Sequence, residues 1–69
     1  MKIEDKVKII PSVALTNLML DDLIGRDGII VEVCYGKNDT LIGAWVSLAG
    51  EQYNDEKEWF IPYNSLIVV

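Results

Sequence analysis

Glu58-Trp59-Phe60-Ile61-Pro62-Tyr63-Asn64-Ser65-Leu66-Ile67-Val68-Val69 holds an apolar strand, a break marked by proline, and a second apolar strand. Pro62 has no N–H to give to a ladder, so it ends a strand, and Pro62 to Ser65 fits one tight turn of 3₁₀ type. Trp59 to Ile61 and Leu66 to Val69 then become the last two strands of a small β-barrel.

The three earlier strands follow from the same logic. Lys6 to Ile10 alternates charged and apolar side chains until Pro11, and Ile29 to Tyr35 is dense in β-branched residues. Leu41 to Leu48 supports two opposite faces, so with Ile42, Ala44, Val46 and Leu48 inward, the period of two turns Trp45 and Ser47 outward. Between the first two strands, Leu15, Leu18, Met19 and Leu23 fall near the spacing of a helix face, which predicts a long loop with one or two helical turns, ended by Gly25. Gly25 to Gly28 and Gly36 to Thr40 are turns, and polar Ala49 to Glu58, with Glu51, Asp55, Glu56 and Glu58 against Lys57 for a net of −3, reads as a solvated hairpin connection, the alternative being a surface for a cation or a basic partner. The whole is mainly β: five short strands, one helical fragment, and a single domain over residues 1–69.

A chain of 69 residues buries only about 60% of the surface it exposes when unfolded, so its stability rests on using most of its apolar residues. No disulfide is available to help, because Cys34 is the single cysteine, and the absence of histidine removes the usual zinc sets. Hence neither a metal nor any other cofactor is expected. Cys34 is a small strand residue with no histidine to activate it, and a lone thiol suits a reducing cytoplasm. The opening Met1-Lys2-Ile3-Glu4-Asp5-Lys6 carries charge where a signal peptide has its apolar segment, and no run reaches the length of a membrane span.

Eleven acidic residues against six basic ones give a net charge of −5, which repels polyanions and makes nucleic acid a poor partner. Catalysis is not expected either. Ser12, Ser47 and Ser65 lack a histidine, adjacent Asp21 and Asp22 diverge on any regular element, and a barrel this small fills its interior with side chains and leaves no pocket.

Two segments carry a family resemblance. Ile61-Pro62-Tyr63-Asn64-Ser65-Leu66 is similar to the closing turn of the SH3-like barrel, and Leu23 to Val33 resembles the glycine, turn and strand unit of KOW-type barrels. The first resemblance implies that Ile61 and Leu66 anchor the core on either side of Pro62, with Tyr63 facing solvent or a partner. The order of parts along nearly the whole chain resembles the same fold: a five-stranded SH3-like barrel with a long first loop containing a short helical turn. Signalling SH3 domains carry an Ala-Leu-Tyr-Asp-Tyr-like segment after the first strand and a groove tyrosine at the end of the closing turn. Here Val13-Ala14-Leu15-Thr16-Asn17 and Ser65 stand in those places, so polyproline recognition is not implied. The KOW resemblance implies an accessory domain of a nucleic-acid or ribosome-associated complex, yet its loop offers Arg26 beside Asp27.

What remains is the set of aromatic residues. Adjacent strand residues cannot share a face, so either Phe60 or the pair Trp59 and Ile61 points inward, and the losing set is exposed. The expected function is a non-catalytic module that binds another protein, or itself, through an exposed patch drawn from Trp45, Trp59, Tyr63 and Tyr35. A small non-catalytic subunit of a larger enzyme fits the same residues.

Overall fold

The computed structural model describes every residue from Met1 to Val69. Five strands form one antiparallel sheet: β1 (Lys6–Ile9), β2 (Asp27–Tyr35), β3 (Leu41–Leu48), β4 (Glu58–Pro62) and β5 (Leu66–Val68), in the order β4-β3-β2-β1-β5. Because β4 and β5 are the two ends of that order and make no ladder with each other, the sheet is not closed. They are joined by a 3₁₀ turn, Tyr63–Ser65, directly after Pro62.

The long loop after β1 contains the single helix, α1 (Val13–Asn17), and a 3₁₀ turn, Asp21–Leu23. Ser12 caps α1, its Oγ accepting the Leu15 N–H at 3.1 Å and sharing a 2.6 Å hydrogen bond with Oγ of the fully buried Ser65. That pair fastens the loop to the closing turn. The helical periodicity misleads beyond Asn17: Leu18 is 47% and Met19 85% exposed, while Leu20, off the expected face, is buried. Met19 lies in the left-handed region at φ 60°, so the chain leaves the helix after five residues and the spacing no longer sets the face. Gly25, at φ 88°, ends the loop, and its N–H donates to the Ile9 carbonyl. Asp27 and Gly28, expected in a turn, already belong to β2 because they pair with Lys8 and Val7.

The core is Val7, Ile9, Leu15, Leu20, Leu23, Ile30, Ala44, Val46, Leu48, Ile61 and Leu66. As expected, Ile61 and Leu66 flank Pro62 in it, and Tyr63 is half exposed. Ile42, by contrast, is 45% exposed although its parity matches Ala44. The β2–β3 register slips between Cys34 and Tyr35, where Cys34 faces Gly43 but Tyr35 faces Leu41, so Ile42 falls in the irregularity at the sheet's end, past the core. No helix is long and apolar enough to cross a membrane.

A candidate binding face on strands β3 and β4

In β4 the competition between Phe60 and the pair Trp59 and Ile61 is resolved by register. Val46 pairs with Trp59 and Ala44 with Ile61, which sets both on the inner face, where Ile61 is fully buried and Trp59 packs on the core. Phe60 pairs with Trp45 and shares the outer face with it. Their rings meet edge to face, with centroids 6.1 Å apart and planes at 69°. Gly43 makes room for this arrangement: a Cβ there would overlap the Ile61 carbonyl oxygen and lie 2.7 Å from Cζ of Phe60. Glu32, opposite Trp45 on β2, bounds the pair on its other side.

Trp45 is 40% exposed and its indole N–H finds no acceptor within the chain. Trp59 differs. Its Nε1 donates to the Glu56 carbonyl at 3.0 Å, and its ring meets Tyr53 at 5.4 Å and 60°. Tyr53 reaches it through a tight turn in which Tyr53 and Glu56 exchange both backbone hydrogen bonds, while Asn54 and Asp55 sit in the left-handed region at φ 48° and 65°. The Tyr53 hydroxyl donates to Asp22 at 2.9 Å. That hydrogen bond, helped by partial burial and by the carboxylate's charge, raises the Tyr53 pKa above its ordinary value. The connection Ala49 to Glu58 is therefore more than a solvated loop, because Tyr53 folds it back onto the core.

A shallow surface groove of about 550 Å³ runs beside β4, where no pocket was expected. Trp45, Phe60 and Trp59 line it together with Leu18 and Leu20 from the end of the long loop. Its charged members are Glu56 and Glu58, with no basic residue among the lining. The groove thus brings Trp45 and Trp59 together around the strand. Tyr63, 50% exposed in the closing turn, and Tyr35, 58% exposed at the far end of β2, lie outside it. Leu18, Leu20 and Phe60 are the lining residues that sequence reasoning missed; only the alternation along β4 hinted at Phe60.

The remaining charged and polar candidates have structural partners. The Arg26 guanidinium donates to the Ala49 and Glu51 carbonyls, tying the two loops at that end of the sheet. Asp21 accepts from Thr16 at 2.8 Å and Asp22 from Tyr53, so the two carboxylates serve separate contacts. Cys34 is a half-buried free thiol in β2. Comparison with family models, with curated proteins and with solved structures gives no match.

Proposed function

We propose that this chain is a non-catalytic interaction module of the SH3-like barrel kind that holds another protein against Trp45 and Phe60. Support for the barrel comes from the strand order, the long loop after β1, and the 3₁₀ turn between β4 and β5, which together reproduce the order of parts in that fold. The observation that carries the function is the Trp45–Phe60 ring pair, half open to solvent, with an unused indole N–H beside an apolar groove. Large rings with a free polar edge suit partner recognition. The lining offers aliphatic and aromatic surface and two glutamates, which favours holding a partner's side chains over moving protons. The partner can itself be an enzyme that this chain completes, and a reducing cytoplasm suits the free Cys34. The nucleic-acid alternative is weaker, since Arg26 of the KOW-like loop is oriented toward loop carbonyls and the net charge of −5 works against it further.

The test compares tagged wild-type protein with Trp45→Ala in recovery from native cells, followed by binding measurements with the purified partner. A partner retained by wild type and lost by a cooperatively folded Trp45→Ala is the expected result. Equal retention by both proteins refutes the site.

A further inference from the structure

β4 has a free edge as well as an aromatic face, and the register determines which backbone atoms lie on it. The Leu48 N–H donates to the Lys57 carbonyl, so in the β3–β4 ladder Lys57, Trp59 and Ile61 turn their N–H and C=O groups toward β3. The intervening Glu58, Phe60 and Pro62 turn theirs away. β4 is the end of the sheet, and no other segment hydrogen-bonds the backbone of Glu58 or Phe60 along that edge. Two N–H donors and their carbonyls are left in line, and Pro62, which has no N–H, limits the ladder to a short stretch. The groove of Trp45, Trp59, Phe60, Leu18 and Leu20 lies along this edge, with Glu56 and Glu58 as its only charges.

We infer that the partner docks as an extended peptide strand bearing lysine or arginine, added to the outer edge of β4. The inference rests on the binding reading above and narrows it to one partner chemistry. Its main-chain atoms take up the Glu58 and Phe60 groups, its apolar side chains enter the groove, and its cations meet Glu56 and Glu58. A second copy of this chain suits the edge poorly, because each copy carries −5 and would set acidic rim near acidic rim. Charge complementarity therefore selects a basic strand.

The test uses ¹⁵N-labelled protein and a capped hexapeptide alternating valine and lysine. Binding should slow hydrogen exchange at the Glu58 and Phe60 amides and shift their resonances. In a strand, alternate residues present their N–H groups to opposite edges. N-methylation of one residue class, all valines or all lysines, should therefore weaken binding by about tenfold or more, while methylation of the other is tolerated. Exchanging lysine for glutamate in the peptide should abolish binding, and Glu58→Lys should weaken binding of the lysine peptide. Equal tolerance of both methylated peptides, or binding without protection of the two amides, overturns strand addition but leaves the Trp45 face as a binding site. No binding of the lysine peptide overturns the strand proposal alone; the binding reading itself falls only if Trp45→Ala retains every partner of the wild type.

Discussion

Two edge-to-face ring pairs lie on opposite faces of β4, and they are treated differently by the rest of the chain. Tyr53–Trp59, on the inner side, has both polar atoms satisfied internally, by Asp22 and by the Glu56 carbonyl. Trp45–Phe60, on the outer side, is open, and its indole N–H has no acceptor within the chain. The core of 11 buried residues contains no aromatic ring at all. A domain this small needs apolar burial, so leaving its outer ring pair uncovered forgoes stability that a purely structural protein would use. The inner pair is a fastening for the hairpin; the outer pair is the surface on which the proposed contact rests.

The largest test of this contrast is Trp59→Ala. Losing a half-buried indole, its hydrogen bond and its contact with Tyr53 should cost about 3 kcal/mol, at the lower end for deletion of a buried tryptophan. Urea unfolding checks it, and a loss below about 1 kcal/mol would erase the distinction between the pairs. Gly43→Ala comes next. The added methyl must displace both the Phe60 ring and the Ile61 carbonyl, so a loss of about 1–2 kcal/mol is expected, with chemical-shift changes concentrated at Phe60 and Trp45. An unperturbed Phe60 would mean that Gly43 does not shape the outer pair.

Much of this was legible in the sequence, and the failures share a cause. Leu41–Leu48 is found with the expected limits, Trp45 faces outward, and the turn after Pro62 lies where proline and the flanking apolar runs place it. Period two survives in these strands because long ladders enforce it. Where a single residue departs from regular geometry, pattern reading loses the face: Met19 at positive φ frees Leu18 and brings in Leu20, and the slip at Cys34 to Tyr35 exposes Ile42. Phe60 and Trp59 could not be ranked beforehand, because a strand this short gives the same alternation in either register; the β3 partner decides. Tyr53 was hidden for a different reason. Its neighbours are polar, and only the two left-handed residues Asn54 and Asp55 turn it back onto Trp59.

Trp45→Ala should separate the pairs most cleanly. Its ring is partly solvated already, so the stability cost should be about 1 kcal/mol, mainly the lost contact with Phe60, while partner binding disappears. A thermal scan beside a binding assay decides it. A stability loss as large as that of Trp59→Ala would recast the outer pair as structural.

The smallest effect is a titration, and it probes how firmly the inner pair is held. The Tyr53 phenol donates to Asp22, so removing its proton both breaks that bond and sets two anions side by side. Its pKa in the folded protein is accordingly raised above the ordinary tyrosine value of about 10. The sign of the linkage follows: the unfolded chain releases this proton at lower pH, so the stabilisation is complete below about pH 10 and is lost as pH climbs through the native pKa. An ultraviolet titration should therefore contain a late phenol step belonging to Tyr53, and Tyr53→Phe should remove it. Asp22→Asn should instead bring it down toward the ordinary value, because the carboxylate supplies both the acceptor and the charge. No late step lost in Tyr53→Phe, or a Tyr53 step unchanged by Asp22→Asn, would show that the tether holding Tyr53 against Trp59 does not persist in solution, and the inner pair would then be no better fastened than the outer one.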